Sequence, residues 1–136
     1  MLTSRIEIVL ATDRATTAAG VQVVSETVDE LVLSLPLTPE HTNGVGVCHG
    51  GIIFLLADAA SGMWANTAAD GSSWVTTDSQ IRFVAPARPG DVLEARCRRR
   101  PSAATSTAQY ETHVSVGQRL VAVVDATMVR RRRSEA

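Results

Sequence analysis

The sequence predicts an α+β fold in which an antiparallel sheet of about five to six strands wraps around one long central helix. Three observations carry this expectation. The run from Gly50 to about Asn66 is almost wholly apolar, as expected of a helix enclosed by other elements. Several further stretches read as strands by their alternation and β-branched content. Short connections between the later strands imply hairpins rather than crossovers.

A length of 136 residues, 20% of them charged, fits one domain over 1–136, long enough to bury a core. All 13 basic residues are Arg, yet the net charge is −1, so no overall field attracts a polyanion and nucleic acid is not an expected partner. Two cysteines, Cys48 and Cys97, are too few for a disulfide framework and suit a reducing, cytoplasmic setting. The apolar run near the start is broken by Glu7, which reads as neither a signal peptide nor a membrane span, so no membrane partner is expected.

Along the chain, residues 1–18 read as a weak helix or helix-plus-loop. "VQVVSE" from Val21 and "LVLSLPL" from Leu31 form two strands, with Leu31, Leu33, Leu35 and Leu37 on one face. "TPEHTNGVGVCHGG" is a glycine-bearing loop, and the long helix follows until "AADGSS" turns the chain. "WVTTDSQIRFV", "VLEARCRRR", "TSTAQYETHVSV" and "RLVAVVDATMV" are four more strands. In the last of these, Leu120, Ala122, Val124, Ala126 and Met128 share a face. Residues 130–136 read as a basic tail.

One residue does not fit a helix made only for packing. Asp58 sits in the middle of "CHGGIIFLLADAASGMWA", and an unpartnered buried carboxylate costs several kcal/mol. Either Asp58 lies at an exposed edge, accepts hydrogen bonds from a loop, or has a chemical task. Gly50 and Gly51 open the same helix, where backbone N–H groups point outward without side chains in the way. Such an end can act as an oxyanion hole or as a phosphate site. Eight positions separate Gly50 from Asp58, about 12 Å along a helix axis. One reacting carbonyl cannot easily meet both, so a joint task requires two chains with antiparallel helices and two equivalent sites per dimer.

These residues carry a resemblance. "NGVGVCHGGIIFLLADAASGMWAN" followed by "TTDSQIRFVAPARPGD" resembles the hot-dog-fold acyl-CoA thioesterases, the phenylacetate-degradation type above all. It extends over roughly residues 19–129 and centres on Asn43, His49, Gly50, Gly51 and Asp58. What the resemblance implies is hydrolysis of an acyl-CoA to free acid and CoA, with an aryl or medium-chain acyl group and ring-hydroxylated phenylacetyl-CoA ranked first. It further implies Asp58 as general base or nucleophile and the Gly50 N–H as carbonyl polariser. Asn43 and His49 would orient the site, and Thr76, with Thr77 competing, would hold water. The site would lie at a homodimer interface, with dimers able to pair into homotetramers. A thioester is electrophilic and a thiolate leaves readily, so a carboxylate and an oxyanion donor suffice, with no metal or other cofactor.

The match has departures. Ala85 stands before Pro86 where relatives often carry a longer or basic residue. The relatives with Glu on this helix are not matched, and no His follows Asp58 until His113, which argues against the hydratases of the same fold. A non-catalytic acyl-CoA-binding or regulatory protein of this fold is the alternative of a different class. Zinc ligation by His49, Cys48, His41 and Cys97 fits no common spacing, and no partner base marks Cys48 as a nucleophile. Arg98 and Arg100 share a strand face from which they could clasp CoA phosphates. Trp64 and Trp74 suit either core packing or the wall of an acyl pocket.

Overall fold

The computed structural model describes residues 4–67 and 72–132. Two short helices come first, α1 (Ser4–Thr12) and α2 (Arg14–Ala19). Asp13 caps α2, accepting from the Thr16 N–H at 3.1 Å and the Thr16 hydroxyl at 2.7 Å. Gly20 closes that helix at φ 99°, a left-handed geometry that favours glycine. Strands β1 (Gln22–Glu26) and β2 (Leu31–Pro36) follow, then the long helix α3 (Gly50–Ala65). The chain ends with β3 (Ser72–Phe83), β4 (Val92–Arg99), β5 (Thr107–Val116) and β6 (Arg119–Arg132).

The strands form one six-stranded sheet in the order β1-β2-β4-β5-β6-β3, antiparallel at every pairing. The expected α+β architecture, a sheet around a central helix, is therefore present. The alternations read from sequence set its inner face. Leu31, Leu33, Leu35, Leu93, Ala95, Cys97, Ala122, Val124 and Met128 are buried there against Ile53, Leu56, Ala57, Ala60 and Met63 of α3.

Four expectations need correction. The short connection from β3 to β4 is not a hairpin: β3 pairs with β6, and β4 with β2 and β5, so the chain crosses over between them. The helix is not enclosed all round. Its outward stripe, with Gly51 and Asp58 exposed and Leu55 and Gly62 partly so, is left uncovered by the chain's own sheet. Their spacing of four, three and four residues puts them on one helix face. Arg130–Arg132 are not tail but the end of β6, paired with Ser72–Trp74; residues 133–136 of the expected tail lie outside the described residues. So do residues 68–71 of the expected turn "AADGSS". Finally, Arg98 and Arg100 are engaged on the sheet's outer face. Arg98 meets Glu30 at 3.1 Å, and Arg100 meets Glu111 and Asp125.

Strand β3 lies at one edge of the sheet, so half of its backbone groups have no strand partner among the described residues. Pairing with β6 is interrupted at Thr77, a β-bulge between Thr76 and Asp78. The extra residue changes the parity of the strand. Thr76 lies opposite Met128 before the bulge, while Ser79, Ile81 and Phe83 lie opposite Ala126, Val124 and Ala122 after it. All four therefore share the helix-facing side.

Candidate active site

The loop before α3 is tied down from several directions. The buried His41 ring uses both nitrogens: Nδ1 accepts from the Thr38 N–H at 3.0 Å, and Nε2 donates to the Ala19 carbonyl at 2.8 Å. The His41 carbonyl in turn accepts the His49 N–H at 2.8 Å. The end of α2, the loop and the start of α3 are thereby linked. With both ring nitrogens engaged, His41 is not available as a metal ligand, and among the described residues no cluster of three or more His, Cys, Asp or Glu could hold a metal ion.

His49 is the N-cap of α3. Its Nδ1 accepts the Gly51 N–H at 2.9 Å, which puts the ring proton on Nε2. The His49 carbonyl takes the N–H groups of Ile52 and Ile53. Of the four N–H groups that open the helix, only that of Gly50 meets no acceptor among the described residues. The two glycines thus differ: Gly51 is capped, and Gly50 presents the free donor. Glycine at position 50 also has a steric reason, since a Cβ there would stand 3.0 Å from Cζ of Phe83.

Asn43 holds the loop in shape. Its Oδ1 accepts from the N–H groups of Val45 and Val47 at 3.0 and 3.3 Å, which leaves the amide Nδ2 as its donor. Asn43, Gly50, Ile53, Phe83 and Pro86 line an open groove of about 380 Å³.

Asp58 stands two turns further along α3. It is exposed on the uncovered stripe and not hydrogen-bonded to a loop, and its carboxylate has no hydrogen-bond or ionic partner among the described residues. Although the residue is exposed, partial burial of the carboxyl raises its pKa above the usual carboxylate value, and the negative charge of Asp13 raises it further. Thr76 is exposed on the helix side of β3 with its hydroxyl unpaired among the described residues, whereas Thr77 Oγ1 donates to the Thr127 carbonyl at 3.3 Å. That distinguishes the two competing threonines.

Sequence reading did not single out Phe83, Asp13 or Ser79. Ser79 Oγ is buried without a hydrogen-bond partner among the described residues. The bulge turns it inward, and no residue pattern announces a bulge.

A single long helix cradled by a six-stranded antiparallel sheet defines the class by its architecture, the hot-dog fold. Comparison with known proteins agrees. Residues 45–100 match the thioesterase superfamily. The chain is 32% identical over 83 residues to the acyl-coenzyme A thioesterase PaaI of Escherichia coli strain K12, across 61% of this chain and 58% of that protein. It is 31% identical over 73 residues to acyl-coenzyme A thioesterase 13 of Mus musculus, across 54% of this chain and 52% of that one. The chain thus spans little more than half the length of these curated relatives. The structure of the E. coli PaaI protein, from the phenylacetic acid degradation operon, superposes with a TM-score of 0.85 at 26% identity, covering 93% of this chain and 91% of that one. The chain has the hot-dog fold, and its segment 45–100 carries the thioesterase superfamily pattern.

Proposed function

We propose that the protein hydrolyses acyl-CoA thioesters at a site built from two chains. The observation that carries this reading is the free Gly50 N–H and the unpaired Asp58 carboxylate on one uncovered helix. Their separation of about 12 Å is too great for one carbonyl within one chain. Antiparallel approach of two α3 helices brings each Asp58 toward the partner's Gly50. The free edge of β3 and the apolar side chains of Val75, Phe83 and Val84, 37%, 54% and 51% exposed, supply a surface for that approach.

In the mechanism, the thioester oxygen accepts from the Gly50 N–H, which stabilises the negative charge that develops on it. Asp58 takes a proton from water as the water oxygen bonds to the carbonyl carbon. The C–S bond then breaks, the thiolate takes up a proton, and acid and CoA leave. In the variant, the carboxylate itself attacks, C–S cleavage leaves a mixed anhydride, and water then hydrolyses that anhydride to release the acid. Asn43 Nδ2 and His49 Nε2–H are donors that orient the carbonyl, and the Thr76 hydroxyl holds the water. Likeness to PaaI supports an aryl acyl group, with ring-hydroxylated phenylacetyl-CoA first.

Thiol release from a panel of aryl and straight-chain acyl-CoAs tests this reading. Turnover is expected, highest on an aryl substrate; saturable binding without release from any member would identify a non-catalytic acyl-CoA binder instead.

The environment of Asp58 also gives a pH prediction. Its carboxyl must be ionised to act as base, so the acid limb of kcat/KM should lie above the ordinary carboxylate range. Asp13→Asn keeps an α2 cap but removes the neighbouring charge. The limb should move to lower pH in that variant, as read from pH–rate profiles.

A further inference from the structure

At the end of the roll where α3 finishes, the helix-side faces of four strands continue past the core. Arg99 follows Leu93, Ala95 and Cys97 on β4; Trp74, Tyr110 and Arg130 occupy equivalent inward positions on β3, β5 and β6. With Trp64 from α3, and Asp29 from the β1–β2 turn, they line an open cleft of about 630 Å³. The two tryptophans and the one tyrosine of the whole chain all line it.

The charges there differ from those on the outer face at β4. Arg96, Arg98 and Arg100 on the outer face are all paired with carboxylates. Arg99 and Arg130 form no ion pair among the described residues, and Arg99 instead lies over the Trp74 ring, 5.7 Å from its centroid. An indole holds a guanidinium in place by cation–π attraction while the guanidinium's donors stay free for an anion. Indole faces bind flat rings by stacking. Among the described residues, two guanidinium groups against the single carboxylate of Asp29 leave the cleft positive.

We infer that this cleft binds a flat aromatic group that carries negative charge, its ring against Trp64 or Trp74 and its anion on Arg99 and Arg130. Trp64 lies six positions beyond Asp58, about 9 Å along α3, within the span of one acyl-CoA. The nucleotide end of such a molecule has this chemistry, and so does the aryl carboxylate that its hydrolysis releases. The inference rests on the thioesterase reading only for the choice of probes, and its readout is binding rather than turnover.

Intrinsic fluorescence of the full chain reports on the cleft directly, because every tryptophan lies there. Phenylacetate and adenosine 3′,5′-bisphosphate are titrated separately, with phenylacetamide and adenosine as their neutral counterparts. One anion should change the emission saturably, with its neutral counterpart at least about tenfold weaker. Arg99→Gln and Arg130→Gln, both at exposed positions, should each weaken that anion by roughly tenfold. Saturation by the bisphosphate assigns the cleft to the nucleotide end, and saturation by phenylacetate to the released aryl acid. No saturable change up to about 10 mM of either anion, equal binding of the neutral counterpart, or unaltered binding by both variants would overturn the inference. Binding without thioester hydrolysis would leave it standing while removing the proposed activity.

Discussion

Replacing Asp58 by Asn should lower turnover by on the order of 10²-fold or more while acyl-CoA still binds. The amide has nearly the same shape but can neither take a proton from water nor attack a carbonyl. Asp58 is exposed on an uncovered stripe, and its carboxylate makes no hydrogen bond or ion pair among the described residues. A loss of activity would therefore not come from lost packing. Stability gives a second check. A carboxyl whose pKa is raised on folding binds protons more tightly in the native chain than in the unfolded one. Stability then falls as pH rises from the unfolded pKa through the folded one, and stays lower above it. At neutral pH the Asn variant should be no less stable than the parent, as read from urea unfolding. Near-normal turnover, or inactivity that tracks unfolding, would remove Asp58 from its assigned role.

The second large effect is expected at Gly50, where the donor and the missing side chain can be separated. Gly50 is the first helical residue, a position that proline tolerates because its N–H has no intrahelical partner. His49 precedes it at φ −59° and ψ 133°, a backbone geometry compatible with a following proline. Gly50→Pro and Gly50→Ala both place a Cβ against the far end of the Phe83 ring, but only proline removes the N–H. If that N–H stabilises the developing oxyanion, proline should cost about 10²–10³-fold more in kcat than alanine. Equal effects of the two substitutions would mean that sterics at Phe83, not the donor, explain the loss.

The fold was legible because its core obeys simple periods. Leu31, Leu33 and Leu35 alternate inward as read, and the helix spans Gly50–Ala65, within one residue of the expected end. What hydropathy could not tell is which apolar side chains of α3 meet the chain's own sheet. A stripe left open for another molecule has the same composition as one covered from within, so the helix read as buried all round. Of the candidate site, Gly50 and Asp58 stood out as unusual residues for a core helix, and their separation was computable from the helix rise alone. The bulge at Thr77, which turns Thr76 and Ser79 to the same side, leaves no mark in residue pattern. Nor does the approach of Asp13 to Asp58, since the two come from different helices and meet only through tertiary packing. Arg98 and Arg100 were rightly placed on one face, but their carboxylate partners on β2's approach, β5 and β6 depend on strand order.

The central claim, one site from two chains, is tested most directly by mixing inactive variants. Asp58→Asn and Gly50→Pro chains are combined in equal amounts, dissociated and reassociated, and thiol release is compared with that of each variant alone. In the mixed dimer one site carries both substitutions, and the other pairs an intact Asp58 with an intact Gly50. Random pairing makes half of the dimers mixed, each with one working site of two, so activity should return to about a quarter of the parent's. Verified mixed dimers with no activity above that of the separate variants would contradict a shared site.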